Sequence, residues 1–211
     1  ALGNASNVVR LSANSGTQGL RLGGGTTYTL TGRTINLNAA TVGIDVTPGT
    51  VATLDTPFTF GAAGNALQKN DLGTLRIDAN NVAAGRTGNT ILAGGVLVVD
   101  SDNDLGTGQV ILNPGAATSG NALWLEGGVT FSRNINMAAT GAGAPTGINN
   151  TGGIFSASGS NTISGTITNT ASVGITFGAA SGATLNINGL GLSNSPTFNA
   201  VGTGIINVNG S

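Results

Sequence analysis

The sequence contains no cysteine and no histidine, and few of its residues carry a charge. Without cysteine no disulfide can stabilise the fold, and without histidine there is no imidazole base and no His-led catalytic triad. Charged residues make up 7% of the chain, and the net charge of −1 offers no electrostatic basis for binding nucleic acid or an anionic membrane. No apolar run reaches the ~18 residues of a membrane helix. We therefore predict no nucleic-acid partner and no membrane insertion of this chain.

The few charges are also unevenly placed. All seven basic and eight acidic residues lie between Arg10 and Arg133, and residues 134–211 contain no ionisable side chain. This stretch cannot hold a carboxylate pair, a lysine nucleophile or an ionic phosphate site. It also lacks the charged surface that keeps most free domains soluble. Two explanations stay open: drift toward low complexity in an extracellular protein, or a surface that other copies of the chain cover.

What the sequence does contain is short runs of alternating apolar and polar residues, such as TLRID, VLVVD and TLNI, separated by Gly, Asn, Ser or Pro. This pattern is typical of β-strands joined by tight turns. No segment keeps an apolar period of 3.6 over the roughly dozen residues of a stable helix. We therefore predict an all-β chain.

Related segments recur along the chain. GLRLGGGTTYTLTGRTINL (19–37) recurs in shortened form as ALWLEGGVTFSRNINM (122–137), and FTFGAAGNAL (58–67) recurs as ITFGAASGATL (175–185). Such internal similarity favours a solenoid, in which each coil stacks on the one before it. Asparagine ladders at turns and rows of Thr or Ser on flat faces would then let neighbouring coils hydrogen-bond without charge.

Four phenylalanines in the second half of the chain follow one another at intervals of 24, 22 and 21 residues. A period near 22 residues predicts that residues 1–211 form a single-domain parallel β-helix with roughly nine coils. In such a fold, residues one period apart stack on each other inside the coil. We therefore predict an interior aromatic ladder of Phe131, Phe155, Phe177 and Phe198.

Residues 67–112 contain three motifs in a fixed order. The first is L-x-K followed by G-T-L, the second is T-I with a later G-x-L, and the third is L-G-T-G followed by a valine. The residues that carry them are Leu67, Lys69, Gly73, Thr74 and Leu75; Thr90, Ile91, Gly94 or Gly95, and Leu97; and Leu105, Gly106, Thr107, Gly108 and Val110. The segment resembles the autotransporter-associated β-strand repeat, also called the passenger-associated transport repeat. The resemblance implies a right-handed parallel β-helix at the bacterial cell surface, and it implies no catalytic residue.

Three aspartates at alternate positions, Asp100, Asp102 and Asp104, stand out from the neutral sequence around them. They fit positions 1, 3 and 5 of an EF-hand calcium loop, but Leu105 and Ile111 stand where the loop requires a glycine and an acid. We predict a solvated turn between two strands. No metal site and no cofactor are expected, and calcium at these three aspartates is the secondary hypothesis.

The composition argues against an enzyme. Parallel β-helices include polysaccharide lyases and hydrolases, which need acids and bases clustered on one outer face. The sequence has no histidine and few charged residues, so it offers few of the groups that general acid–base catalysis needs, and we predict no catalytic and no cofactor-binding residue. A polysaccharide-acting enzyme is the least favoured alternative.

The sequence points instead to a structural role outside the cell. Terminal coils of a solenoid normally carry polar caps, and both ends of this sequence have β character with little charge. We expect an extracellular protein that associates head to tail into a surface fibre, filament or matrix, with other copies of itself as partners. The alternative is a passenger or stalk fragment of an autotransporter-like adhesin. Cell-surface or matrix polysaccharide is a further expected partner.

Overall fold

The computed structural model describes residues 8–12, 15–112, 120–138, 151–169, 174–192 and 197–209. In these ranges the chain forms 23 strands and no helix, and the strands pair in parallel with strands of the neighbouring coils. This confirms the predicted all-β parallel solenoid. The strands are β1 (Val9–Leu11), β2 (Ser15–Leu22), β3 (Thr27–Thr29), β4 (Ile35–Leu37), β5 (Thr41–Val46), β6 (Val51–Leu54), β7 (Thr59–Phe60), β8 (Ala66–Asn70), β9 (Thr74–Ile77), β10 (Thr90–Leu92), β11 (Gly95–Val99), β12 (Val110–Leu112), β13 (Asn121–Leu125), β14 (Thr130–Phe131), β15 (Ile135–Met137), β16 (Ile154–Ser156), β17 (Ser160–Ile163), β18 (Ile167–Asn169), β19 (Ile175–Ala179), β20 (Thr184–Ile187), β21 (Leu190–Leu192), β22 (Phe198–Gly202) and β23 (Ile205–Val208).

Each coil passes through three sides, which we call A, B and C in chain order. The B side is an eight-stranded sheet in the order β2-β5-β8-β10-β12-β15-β18-β21, and the C side is an eight-stranded sheet that runs from β3 through β6, β9, β11, β13, β16 and β19 to β22. The A side is split into a three-stranded sheet, β1-β4-β7, and a four-stranded sheet, β14-β17-β20-β23. Between these two sheets lie two coils whose A side consists of turns.

The stack makes about seven turns. The predicted number of roughly nine was wrong, because several coils are longer than the 22 residues assumed. Paired residues of neighbouring coils are 20 positions apart at Thr90 and Val110 but 32 apart at Ile135 and Ile167. The extra residues enter mainly at the corner between a B-side strand and the next C-side strand, the B–C corner. This corner takes two residues between β10 and β11 and sixteen between β15 and β16.

The interior is built from columns of apolar side chains, one residue per coil. On the C side, one column stacks Leu75, Leu97, Leu123, Ile154 and Phe177, which pair in succession and are all fully buried. Burying a side chain of this size stabilises the fold by about 1.5–3 kcal/mol. Residues within a strand alternate between the two faces of a sheet. In each of these strands, the residues directly before and after the column member therefore point outward.

The predicted interior ladder of four phenylalanines is not formed, and this prediction was wrong. Phe131 lies on the A side and Phe177 on the C side, so these two buried rings belong to different columns. Phe155 pairs with Gly178 on the outward face of the C side, where its ring centroid is 5.3 Å from that of Trp124. The cause is register: coil length varies, and a shift of one residue moves a side chain to the opposite face of its sheet.

Phe198, the fourth member, pairs with Ile175 rather than with Phe177, although the two rings touch with centroids 4.9 Å apart. It lies on the last C-side strand and remains 39% exposed. Phe198 is therefore an interior-facing side chain at the open end of the stack.

Candidate functional site

The acidic turn after β11 lies on the A side, where the two A-side sheets are interrupted. Asp100 pairs with Arg76 of the preceding coil, with 3.4 Å between the carboxylate and guanidinium groups. Asp102 points to the following coil, where it accepts a hydrogen bond from the backbone N–H of Ser132 at 2.7 Å and one from the guanidinium of Arg133 at 3.0 Å. The structure therefore does not bring these carboxylates together as ligands of one ion.

Asp104 turns inward and is only 2% exposed. Its Oδ2 accepts hydrogen bonds from the backbone N–H groups of Asp100, at 3.1 Å, and Ser101, at 2.9 Å. Burial raises the pKa of Asp104 to about 6, although these two hydrogen bonds oppose the rise. Among the described residues, no group of three or more His, Cys, Asp or Glu side chains is placed to hold a metal ion. The turn links three successive coils.

Lys69 lies inside the solenoid and is completely buried. Its ammonium group donates hydrogen bonds to the backbone carbonyl oxygens of Asn70 and Asp71, both at 2.7 Å, and of Gly94, at 2.9 Å. Burial lowers its pKa to about 7, and the nearby negative charges of Asp71 and Asp45 oppose this shift only in part. This burial could not be read from the sequence, because a lysine in an alternating strand is normally assigned to the solvent face.

The corner beside Lys69 depends on a glycine. Gly95 has a φ of 73°, and a Cβ at this position would lie 2.3 Å from the carbonyl oxygen of Gly73 and 2.5 Å from the nitrogen of Lys69. Only glycine meets both conditions, since it adopts positive φ freely and has no Cβ. The shortest B–C corner therefore fits closely around the buried ammonium group.

Arg86 is the second buried cation, and it fills the interior where the A-side strands are missing. Its guanidinium donates hydrogen bonds to the hydroxyl of Thr90 at 3.1 Å, to the carbonyl oxygen of Asn89 at 2.7 Å, and to the carbonyl oxygen of Leu105. Burial lowers its pKa to about 10. Both buried cations are enclosed and bind backbone carbonyls, so they connect coils and cannot reach a substrate.

The N-terminal end of the stack contains a cavity of about 550 Å³. Its walls include Leu20, Leu22, Tyr28, Leu30 and Arg33, and none of the described residues that line it is a carboxylate. A general acid–base pair of the kind that glycoside hydrolysis requires is therefore absent from this cavity. The apolar residues here belong to the first coil, so the cavity lies at the N-terminal end of the described core.

The C-terminal end of the described stack exposes core side chains. Phe198 and Val208 are 39% and 46% exposed, whereas the residues they pair with in the preceding coil, Ile175 and Ile187, are fully buried. Ile205, on the outward face of the same last strand, is 59% exposed. The last coil thus presents core side chains that no described coil covers.

Two asparagine pairs join the last two coils on the A side: the predicted position at a turn holds for Asn188 and Asn209, whereas Asn186 and Asn207 lie on strands. Asn207 donates a hydrogen bond from its side-chain amide to Oδ1 of Asn186 at 2.8 Å, and Asn209 donates one to Oδ1 of Asn188 at 3.2 Å. In each pair the amide N–H points to the preceding coil. Among the described residues, the Oδ1 atoms of Asn207 and Asn209 accept no hydrogen bond.

No helix in the described part of the chain is long and apolar enough to cross a membrane. Within the described residues, the sites considered above are structural links between coils, the cavity at the N-terminal end and the exposed core side chains of the last strands. Comparison with protein-family models, with curated proteins and with solved structures found no match.

Proposed function

We propose that this chain is a non-enzymatic structural protein whose solenoid associates head to tail into a filament or matrix. The observation that supports this is the exposure of the core side chains Phe198 and Val208 at the C-terminal end of the described stack. A further coil would bury them and would also pair with the free edges of β22 and β23. The two ends differ from each other, so the contact is heterologous, and copies that stack along the solenoid axis extend into a filament.

Electrostatics allow such an assembly. The last four coils carry almost no ionisable side chain, since residues 134–211 have none. Copies that approach through this region meet no charge repulsion and desolvate no charged group. The uncharged asparagine ladders supply donors and acceptors that fit another coil of the same kind.

The proposed location is the bacterial cell surface. It rests on the resemblance of residues 67–112 to the autotransporter-associated β-strand repeat, which also implies a right-handed coil. The same resemblance favours a second candidate, a passenger or stalk fragment of an autotransporter-like adhesin. In that case further coils of the same polypeptide would cover the ends, and surface polysaccharide would be the partner.

Electron microscopy and light scattering of the purified 211-residue chain test the proposal. Head-to-tail association predicts rods that lengthen with concentration in steps of about 35–40 Å, the height of eight strands at ~4.8 Å per coil. Monomers at every concentration would contradict it and favour the stalk. Val208→Lys places a charge on the open core and should abolish assembly. The matched control is Leu72→Lys, a position 44% exposed but within the stack, which should leave assembly unchanged.

A further inference from the structure

We infer that copies stack with all three sides of the coil paired, and that β23 of one copy takes the place of β1 beside β4 of the next. At the same junction β21 pairs with β2, and β22 pairs with β3. This inference rests on the proposed function and specifies its contact. β2, β3, β21, β22 and β23 are edge strands of their sheets, so described strands fill every position of the junction.

The three sides differ in their number of strand positions along the stack. The B and C sides have eight strands each, whereas the A side has nine positions: three strands, the two coils of turns and four strands. If β2 and β3 follow β21 and β22 without a gap, β1 of one copy and β23 of the other reach the same position beside β4. The second edge of β4 pairs with β7, so β4 can pair with only one of them. Stacking without a gap therefore requires one of these two strands to leave.

The interior column of the C side sets the register of the junction. At the C-terminal end of this column, Phe177 pairs with Ala200 of β22. At its N-terminal end, Leu75 pairs with Ala52, and Ala52 pairs with Tyr28 of β3. If the column continues from one copy into the next, Tyr28 stacks on Ala200.

The inward side chains that meet in this register complement each other in size. β22 presents a large side chain, then a methyl group, then none, at Phe198, Ala200 and Gly202. Opposite them lie a smaller side chain and then two large ones, at Thr26, Tyr28 and Leu30. Side chains that alternate in size across a contact interdigitate without leaving voids. The two faces therefore fit each other in this register.

The ring of Phe198 enters the N-terminal cavity of the next copy in this arrangement. The cavity of about 550 Å³ includes Leu22, Gly23 and Tyr28 in its walls, and these residues flank the corner that leads to Thr26. Phe198 already contacts Phe177, with ring centroids 4.9 Å apart. The ring of Tyr28 would follow as the third member of the aromatic run, and such pairs add to the free energy of burial. The exposed end of one core thus fills the cavity at the other.

On the A side, β23 matches β4 as closely as β1 does. The inward side chains of β23 are Ile206 and Val208, and those of β4 are Ile35 and Leu37. Paired in chain order, Val208 is covered by Leu37, and Asn207 comes opposite the outward-facing Asn36. The side-chain amide of Asn36 donates to the hydroxyl of Thr59 in the following coil at 2.9 Å, so the row of uncharged hydrogen-bonding side chains continues across the junction.

β1 is the strand that leaves, because fewer contacts hold it. It pairs with β4 over the three residues Val9–Leu11, and no side chain of β1 forms a hydrogen bond with another described residue. β23 pairs with β20 over four residues, and the side chains of Asn207 and Asn209 donate two further hydrogen bonds to the preceding coil. In the free chain, β1 therefore occupies the site that β23 of another copy takes.

A disulfide cross-link tests the register directly, because the natural chain has no cysteine. The exposed outward residues Asn199 and Thr27 lie opposite each other in the inferred register. Neighbouring strands are about 4.8 Å apart, a Cα separation that a disulfide can span. An equimolar mixture of Asn199→Cys and Thr27→Cys chains should form a covalent dimer on mild oxidation. The matched control mixes Asn199→Cys with Leu72→Cys, a position 44% exposed but away from the junction, and should give only background dimer.

Leu11→Ser tests the exchange of strands, because it weakens β1 and leaves β21, β22 and β23 unchanged. The concentration at which rods form should fall by about three- to tenfold, since less apolar contact holds β1 beside β4. A mixture of Asn207→Cys and Asn36→Cys chains should also cross-link, which requires β1 to have left. The matched control is Val8→Ser, which removes an apolar side chain that is 56% exposed and should leave the concentration unchanged. Circular dichroism of the dilute variants verifies that both are folded.

The results separate the inference from the proposed function. An equal or higher rod-forming concentration for Leu11→Ser would show that β1 does not block the junction, and would overturn the exchange. Rods that form without the Asn199–Thr27 cross-link would overturn the inferred register but leave head-to-tail assembly standing. Absence of rods for both the natural chain and Leu11→Ser would overturn the proposed function.

Discussion

The ammonium nitrogen of Lys69 lies 2.9 Å from the carbonyl oxygen of Gly94, 25 residues later and one coil further along the stack. Two more carbonyl oxygens, both at 2.7 Å, complete its contacts. The hydrogen bonds of this interior cation thus go to backbone carbonyls, and no carboxylate within the described residues forms an ion pair with it. The arrangement ties successive B–C corners together and makes the stability of the solenoid depend on pH.

Lys69→Met should remove one pH dependence of stability. Burial lowers the pKa of Lys69 from 10.5 to about 7 in the folded chain. Well below pH 7 the lysine is protonated in both the folded and the unfolded chain. Between pH 7 and 10.5 the unfolded chain binds more protons than the folded chain. The free energy of unfolding therefore rises with pH in this window, by at most about 1.4 kcal/mol per pH unit. Urea unfolding at pH 6, 7, 8 and 9 measures the slope, and equal slopes for both proteins would contradict the assignment.

Asp104→Asn should remove a second pH dependence, of opposite sign and at lower pH. Burial raises the pKa of Asp104 from 3.8 to about 6, so between these values the folded chain binds more protons than the unfolded chain. The free energy of unfolding then falls as pH rises from 4 to 6, by at most about 1.4 kcal/mol per pH unit. The variant keeps an oxygen to accept the two N–H groups, so it should fold and show no such fall. Thermal unfolding of both proteins at pH 4, 5 and 6 measures the two pH dependences, and an equal fall in stability for both would contradict the assignment to Asp104.

The acidic turn provides a comparison between two neighbouring carboxylates. Asp102→Ala removes hydrogen bonds to Ser132 and Arg133 of the next coil and should lower the free energy of unfolding by about 1–3 kcal/mol. Asp100→Ala removes only a partly exposed ion pair with Arg76 and should cost less than about 1 kcal/mol. Equal losses of unfolding free energy in the two variants would show that the contact of Asp102 with the next coil does not stabilise the turn.

Calcium should leave this turn unaffected. The three carboxylates have separate partners, so no common site is offered to an ion. The melting temperature of the natural chain should be the same in millimolar calcium and in a chelator. A calcium-dependent rise that Asp102→Ala abolishes would contradict this expectation and restore the metal hypothesis.

The two phenylalanines at the C-terminal end should differ in their contribution to the monomer. Phe177→Ala empties a fully buried position in the C-side column and should cost about 3–5 kcal/mol. Phe198→Ala, at a position 39% exposed, should cost about 1 kcal/mol. Dilute samples in which the chain is monomeric are required. Similar losses would mean that Phe198 is covered within a single copy.

The fold class could be predicted because two features of the sequence are independent of register. Alternation in runs such as TLRID requires only that strands have two faces, and a repeat near 22 residues requires only that coils have similar length. To predict the position of each residue in the stack, the exact length of every coil must also be known. Phe155 faces outward and Phe177 inward because the coils differ in length, and nothing in their spacing gives the parity.

The internal repeats show the same limit. Residues 19–22 lie on the B side, whereas the matching residues 122–125 lie on the C side. The two segments are similar because every side of the coil needs an apolar interior face and a glycine-rich turn. The similarity therefore does not mean that the segments occupy equivalent positions in the coil. The buried Lys69 could not be predicted either, because its partners are backbone carbonyls, which any sequence would supply.

The B–C corners differ in length from coil to coil, which shows where the chain can accept insertions. Two residues suffice between β10 and β11, yet sixteen separate β15 from β16, and the strands on both sides still pair in register with their neighbours. Evolution can therefore lengthen this corner in one coil without moving any interior column. The same property makes the corner a place where a foreign peptide could be inserted and displayed along one edge of a rod at regular intervals.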